Sequence, residues 1–233
     1  MAKENALART RRRDVPGWGE AIVCLWTWLV MAGCFVGLAL HAASGHVART
    51  DLRLLNASHR LPGAIEPLAM WQERFGNPDF LAACVVLVAL ALLVRRAWVE
   101  GLVVLSAFAV FALTVVVKHI VHEVPPYKVE HAEYVGVFES NFSFPSGHVV
   151  GLTVLGGLVF LFADRLTGDK GLAFLMRLLA FVYVASAGVG RVWLGVHYPT
   201  DVIAAYLLAG LFLLPVWFCF SLSRRTMRRH DGT

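Results

Sequence analysis

A histidine and a carboxylate stand four residues apart in the segment GRVWLGVHYPTD, residues 190–201. Pro199 follows His197 by two positions, and proline is favoured in the first turn of a helix. Asp201 would lie in that turn, where it could accept the imidazole N–H of His197 and fix its tautomer. The other ring nitrogen would then be available as a nucleophile. The spacing therefore predicts nucleophilic catalysis by His197, with Asp201 as the residue that orients it.

A second histidine, His148, follows Pro-Ser-Gly where a polar segment gives way to a long apolar run. Ser146 and Gly147 would present free backbone N–H groups at a helix N-terminus, and such a terminus binds anions, phosphate above all. His148 could donate a proton to a departing oxygen, because an unperturbed imidazole titrates near neutral pH. Lys118 and Arg191 would add positive charge for phosphoryl oxygens. Together these residues predict a phosphate cradle built without a metal.

The elements that must position these residues are hydrophobic helices. Hydrophobic residues make up 58% of the 233-residue chain and charged residues only 16%, a balance that indicates a membrane protein. A helix needs roughly 20 apolar residues to cross a bilayer. One all-α domain over residues 1–233 is predicted, a six-transmembrane-helix bundle with spans at 21–41, 80–94, 99–117, 147–163, 171–189 and 202–222. The first run is too long for a signal-peptide core, which favours a retained helix.

The distribution of basic residues predicts the orientation of this bundle. With both termini cytoplasmic, fourteen of the 21 Lys and Arg residues fall on inner segments and seven on outer ones, in agreement with the positive-inside rule. The net charge of +5 then fits anchoring to anionic lipid of the inner leaflet. The sequence has no basic stripe with interleaved aromatic residues of the kind that indicates nucleic-acid binding. In this topology both histidines and their basic neighbours meet at the extracytoplasmic face.

The outer connection at residues 42–79 contains two segments that alternate polar and apolar residues, LRLLNASHRL and IEPLAMWQERF. These patterns predict short helices, which either lie in the membrane interface with their apolar faces in lipid or form an ordered cap over the bundle. The sequence leaves both alternatives open. A later outer connection carries His119, His122 and His131, whose spacing fits no standard metal site.

Three segments, in this order along the chain, resemble the signature motifs of the type 2 phosphatidic acid phosphatase (PAP2) superfamily of integral membrane lipid phosphatases. The same site occurs in the vanadium haloperoxidases. The segments are Lys118 with Pro126 eight positions on, PSGH at 145–148, and RVWLGVHYPTD at 191–201. One such segment is only moderately specific, whereas three in order on one membrane face are a strong signal.

The resemblance implies a role for each matching residue. His197 would attack phosphorus and form a phosphohistidine, Asp201 would orient it, and His148 would protonate the leaving group and later activate water. The phosphoryl oxygens would be held by the remaining matching positions, which are Lys118, Ser146, Gly147 and Arg191. Enzymes of this family require no cofactor or metal.

The sequence departs from the family pattern at two positions. The first motif is Lys-x6-Arg-Pro in the family, and here Pro125 occupies the arginine position. Gly190 stands where the family usually has serine. Losing a charged hydrogen bond costs about 1.5 to 3 kcal/mol, so Pro125 implies either weaker phosphate binding or a substitute donor. Lys128 and His122 are the nearest candidates for that donor.

The functional expectation is a phosphatase that acts on a lipid phosphate at the outer leaflet of a bacterial inner membrane. Polyprenyl diphosphates such as undecaprenyl diphosphate, whose dephosphorylation recycles the carrier of wall precursors, are the substrates expected first. Phosphatidylglycerol phosphate or phosphatidic acid is the alternative. A non-catalytic protein that binds a lipid phosphate is the alternative of another class, and the presence of both histidines with Asp201 argues against it. The expected partners are the substrate and membrane lipids, and the sequence does not indicate an oligomeric state.

Overall fold

The structure, a computed structural model, describes residues 18–129 and 142–230, with side chains up to residue 222. His131, the basic residues before position 18 and the arginine side chains after position 222 lie outside this description. The described residues form helices joined by turns and loops. In chain order these are α1 Trp18–Ala43, α2 Arg49–Ser58, the 3-10 turn Gly63–Ile65, α3 Glu66–Phe75, α4 Pro78–Val94, α5 Trp98–Leu105, α6 Ala107–Val121, α7 Pro126–Val129, α8 Gly147–Thr167, α9 Lys170–Trp193 and α10 Pro199–His230.

Five helical segments within the described ranges are long and apolar enough to cross a membrane. They are α1, the run from α5 to α7 at Trp98–Val129, α8, α9, and Pro199–Leu222 of α10. The 17-residue α4 is bent by 66° from the preceding Gly63–Phe75 segment, and this pair makes a sixth span if it is counted as one. The predicted all-α transmembrane architecture is confirmed, with α4 as the shortest of the predicted spans.

Side-chain caps fix where several of these helices begin. Asn77 accepts a hydrogen bond from a backbone N–H in the first turn of α4, and Asp169 does the same for α9, as N-cap residues commonly do. At α10, Asp51 of α2 accepts from both the backbone N–H and the hydroxyl of Thr200, at 3.1 and 2.9 Å. The start of α10, which follows directly on the predicted catalytic residue His197, is therefore tied to the connection at residues 42–79.

The interior of the bundle is organised around α8, which packs against α4, α9 and α10. Two glycines on α8 make this close packing possible. A Cβ at Gly151 would overlap Leu81 of α4, and one at Gly156 would lie 2.6 Å from Val184 of α9. Small residues let helix backbones approach closely where lipid offers no hydrophobic drive for association. The start of α8, which carries the Pro-Ser-Gly-His segment, is held firmly by these contacts.

The connection at residues 42–79, which the sequence predicts to lie outside, forms an ordered cap. Both α2 and α3 pack against α9, and α2 also contacts α10. On α3 the side chains of Ala69 and Gln72 are buried, and Gln72 donates a hydrogen bond of 2.7 Å to the hydroxyl of Ser186 on α9. Leu68 and Trp71, on the other face of α3, are exposed. Of the two alternatives for this segment, the contacts favour the cap.

Gly190 allows α3 to lie directly on α9. A Cβ at this position would overlap the side-chain oxygen of Gln72 and lie 3.3 Å from the Cα of Ala69. We expect Gly190→Ala to lower the free energy of unfolding by about 1 to 3 kcal/mol, the usual cost of overpacking a well-filled interior. Thermal unfolding of the detergent-purified protein measures this change.

Gly37→Ala is the matched control for Gly190→Ala, because Gly37 also lies in a helix and no atom comes within 4 Å of the position that its Cβ would occupy. This control is expected to leave the unfolding temperature unchanged or to raise it, since alanine favours helix more than glycine does. Equal unfolding temperatures for the two variants would show that the contact between α3 and α9 does not depend on the missing side chain.

Candidate active site

The histidine and aspartate of the last motif are in contact at the beginning of α10. His197 lies in the turn before α10 with its Nδ1 atom 3.3 Å from Oδ2 of Asp201, and both side chains are fully buried. The same carboxylate oxygen accepts the backbone N–H of Tyr198 at 2.9 Å. When Oδ2 of Asp201 accepts this hydrogen bond, Nδ1 carries the proton and Nε2 has the lone pair. The geometry is that of an oriented nitrogen nucleophile.

The Pro-Ser-Gly-His segment lies beside this pair. The backbone N–H of Ser146 donates to the backbone carbonyl of Asp201 at 3.3 Å, which joins the start of α8 to the start of α10. The Ser146 hydroxyl is buried without a hydrogen-bond partner among the described residues, and it does not cap its own helix. Since buried hydroxyls are normally hydrogen-bonded, this group is suited to a ligand. The first N–H groups of α8 add further donors.

Two cations flank the helix start. Lys118, near the end of α6, donates to the backbone carbonyls of Phe142 and Ser143 at 2.7 and 3.3 Å. Its Cε atom lies 3.7 Å from the position that a Cβ of Gly147 would occupy. The lysine stem therefore passes directly over the Pro-Ser-Gly-His segment. Arg191, in the last turn of α9, is almost completely buried.

The charges of the site act on both histidines. Lys118 interacts electrostatically with His148 and with His197, and Arg191 also interacts with His197. Burial lowers the pKa of His197 well below its ordinary value, and the two cations act in the same direction, while Asp201 opposes them. A lowered pKa keeps the imidazole neutral at neutral pH, as a nitrogen nucleophile requires.

Glu73 of α3 is a site residue that the sequence analysis missed. Its Oε2 atom accepts a hydrogen bond from Nη1 of Arg191 and lies 3.5 Å from Nε2 of His148. Ala69, Gln72, Glu73 and Gly76 are spaced as one face of a helix. This spacing is the signal that could have pointed to Glu73. It becomes informative only once this face is known to pack against α9.

A second acid, Glu123, follows the end of α6 and interacts with the side chain of Asp201. Oε2 of Glu123 and Oδ1 of Asp201 are both buried without another hydrogen-bond partner among the described residues. Two carboxyl groups in contact are stable only when they share a proton. The His197–Asp201 pair therefore continues into a third titratable side chain. Nothing in the sequence between the motifs indicated that Glu123 would contact Asp201.

The two residues proposed to compensate for Pro125 lie at the edge of this arrangement. Lys128 is exposed, with its ammonium 5.7 Å from the ring centre of Tyr127. His122 is exposed at the end of α6, and its ring packs on Phe142 with centroids 4.5 Å apart. Neither has a described contact with Arg191, His148 or His197, and their compensating role stays a prediction. Within the described ranges no group of three or more His, Cys, Asp or Glu side chains is arranged so that it could hold a metal ion.

The residues of the site differ in their exposure. His197 and Asp201 are fully buried and the Arg191 side chain is 1% exposed, whereas His148 is 10% and Glu73 17% exposed. His148 and Glu73 are therefore closer to the protein surface than His197, Asp201 and Arg191 are. The structure thus brings together every residue of the predicted catalytic set and phosphate cradle, which comprises Lys118, Ser146, Gly147, His148, Arg191, His197 and Asp201.

Comparison with known families agrees with this geometry. The sequence model of the PAP2 superfamily matches residues 100–225, which include all three motif segments. The chain is also similar in fold to a transmembrane PAP2 type phosphatidylglycerolphosphate phosphatase from Bacillus subtilis. The TM-score is 0.65 at 24% identity, over 82% of this chain and 94% of the other.

Two curated relatives show how far the sequence similarity extends. Phosphatidylglycerophosphatase B of Bacillus subtilis is 32% identical over 145 residues, which cover 59% of this chain and 66% of the relative. Undecaprenyl-diphosphatase of Sulfolobus acidocaldarius is 31% identical over 122 residues, 52% of this chain and 55% of the relative. The chain therefore matches between about half and two thirds of the length of these relatives.

Proposed function

The chain belongs to the PAP2 superfamily, and from this premise we propose that it is an integral membrane lipid phosphatase that works through a phosphohistidine without a metal. The observation that carries the proposal is the buried contact between Nδ1 of His197 and Asp201 beside a cluster of phosphate-binding groups. A binding protein would need the cations but not a nitrogen nucleophile oriented by a carboxylate.

The proposed reaction has two steps. In the first, Nε2 of His197 attacks phosphorus, the bond to the leaving oxygen breaks, and that oxygen takes a proton from His148. In the second, His148 takes a proton from water, the water oxygen attacks phosphorus, and the N–P bond breaks to return His197 and release phosphate. Lys118 and Arg191 offset the charge on the phosphoryl oxygens in both steps, with donors fixed in advance.

The proposed substrate is a lipid whose phosphate reaches the extracytoplasmic face. The excess of Lys and Arg on the predicted inner segments supports this sidedness with both termini in the cytoplasm. Polyprenyl diphosphates are proposed first, in keeping with the similarity to the undecaprenyl-diphosphatase of Sulfolobus acidocaldarius. The similarity to phosphatidylglycerophosphatase B supports phosphatidylglycerol phosphate, and with it phosphatidic acid, as the second candidate.

A substrate panel tests both the activity and the preference. Detergent-purified protein is given farnesyl and undecaprenyl diphosphate, phosphatidylglycerol phosphate and phosphatidic acid in the presence of a chelator, and phosphate release is measured. We expect release from at least one of these lipids, with a kcat/KM for the preferred class at least about tenfold higher, a difference of about 1.4 kcal/mol. Release from no lipid phosphate would favour the non-catalytic binder. A strict requirement for added metal would contradict the histidine mechanism.

A further inference from the structure

The carboxylate of Glu73 contacts Arg191 and His148, the same two side chains that the phosphoryl group contacts in the proposed reaction. One of its oxygens accepts from Nη1 of Arg191 and lies 3.5 Å from Nε2 of His148. In the proposed reaction Arg191 holds a phosphoryl oxygen while His148 contacts the leaving oxygen bonded to the same phosphorus. A phosphoryl group bound in that way would place its oxygens where the Glu73 carboxylate now is.

The position of Glu73 is built into the fold. On one side, α3 is fixed to α9 by buried Gln72 and by the absence of a side chain at Gly190. On the other, Gly76 lets the end of α3 approach His148 so closely that a Cβ there would lie 2.8 Å from Cδ2 of the imidazole. Two independent contacts therefore hold the helix that carries Glu73 against α9 and the start of α8.

The carboxylate and a phosphoryl group cannot both keep this position. Both are anionic acceptors, and like charges at contact distance repel strongly where little water screens them. Arg191 is buried, so it cannot swing out to meet the substrate elsewhere. Glu73 is 17% exposed and has a route toward water. The group that gives way is therefore Glu73.

We propose that Glu73 is an internal competitor of the phosphoryl group: it occupies Arg191 and His148 in the empty site and has to leave them for a phosphate to bind. The ligand class is a phosphate monoanion or dianion, whether free or carried on a lipid. The consequence for turnover rests on the proposed function, whereas the consequence for phosphate binding does not. Glu73 would thereby set how tightly the site holds both substrate and released phosphate.

The test measures binding of inorganic phosphate to the full-length protein in detergent, at constant ionic strength, from the rise in unfolding temperature that phosphate causes. Glu73→Gln removes the charge and keeps the shape. Its Kd for phosphate is expected to fall by about tenfold. This is the effect of removing one repulsive charge whose interaction is about as strong as a shift of one pKa unit. The KM for the preferred lipid is expected to fall in parallel.

Glu66→Gln is the matched control, because Glu66 lies on the same helix, carries the same charge and is exposed. It is expected to leave the Kd for phosphate at the wild-type value. If Glu73→Gln proves too unstable to purify, Glu73→Asp keeps the charge but shortens the reach by one methylene. This variant is also expected to bind phosphate more tightly than the wild type.

An unchanged or higher Kd in both Glu73 variants would overturn the inference and make Glu73 a fixed part of the cradle that holds Arg191 in place. Failure of the proposed function would look different. In that case the wild type binds phosphate but releases none from any lipid, and the comparison of Kd values still decides the role of Glu73.

Discussion

Replacing His197 by alanine is expected to lower kcat on the preferred lipid by roughly 10⁴-fold or more while inorganic phosphate still binds. The imidazole supplies the nucleophilic nitrogen of the proposed covalent step. Without this nucleophile, only the residual rate due to binding and charge stabilisation remains. The groups proposed to bind phosphate lie on other elements: Lys118 on α6, the start of α8, and Arg191 on α9. Turnover and binding should therefore separate in this variant.

Phosphate release and the phosphate-induced rise in unfolding temperature measure these two properties on the same sample. His46→Ala is a suitable control, since His46 is exposed in the outer connection, and it should keep wild-type turnover. If His197→Ala retained a kcat within tenfold of the wild type, another group would have to be the nucleophile. Loss of phosphate binding together with turnover would instead point to a collapsed site.

Replacing His148 by alanine should produce the second large effect, and this effect should depend on the leaving group. A general acid typically contributes 10²- to 10⁴-fold, and we expect a loss of about 10³-fold with phosphatidic acid, whose leaving group is a basic alkoxide. p-Nitrophenyl phosphate has a weakly basic leaving group that needs little protonation. The rate of the first turnover of p-nitrophenyl phosphate by His148→Ala should therefore stay within about tenfold of the wild-type rate.

Stopped-flow detection of p-nitrophenol separates the two steps of this variant. The first equivalent of p-nitrophenol should appear rapidly and later turnovers slowly, because the second step lacks the base that activates water. His119→Ala serves as the control, since His119 is an exposed histidine at the same end of the bundle. Equal losses for both substrates would contradict a role for His148 as the proton donor.

The contact between His197 and Asp201 and the helix start at Gly147 could be predicted because they depend on local rules. Pro199 fixes the start of α10, and the four-residue spacing then brings Asp201 to Nδ1 of His197. The helix N-terminus at Gly147 follows in the same way from the Pro-Ser-Gly segment at the edge of an apolar run. The lengths of the apolar runs were enough to predict the positions of the spans. These positions place the three motifs at one end of the bundle.

The acids of the site could not be predicted because they depend on how separate elements pack. Glu73 reaches Arg191 only because α3 folds back over α9, and the composition of residues 42–79 left a cap and an interfacial helix equally possible. Glu123 meets Asp201 through the placement of the end of α6 beside the start of α10. Contacts of this kind have no short-range signature, since their partners are 78 to 118 residues apart.

The structure explains one of the two departures from the family pattern, Gly190, and leaves the other, Pro125, unexplained. Gly190 has a packing role, because a side chain there would meet Gln72 and the backbone of α3. A closely packed α3 is in turn what brings Glu73 to the site. Pro125 is buried in the connection after α6, and the residues around it give no physical account of how the missing arginine is replaced.

The most direct test of the account is to find the phosphorylated residue in His148→Ala. After a brief incubation with p-nitrophenyl phosphate, whose leaving group needs little help from the missing proton donor, peptide mapping by mass spectrometry under alkaline conditions should show one acid-labile phosphoryl group, on His197. Double replacement of both histidines should abolish it. A phosphoryl group on a different residue, or full turnover with none detectable, would contradict the claim that one anion pocket joins a nucleophilic imidazole to an acid–base partner.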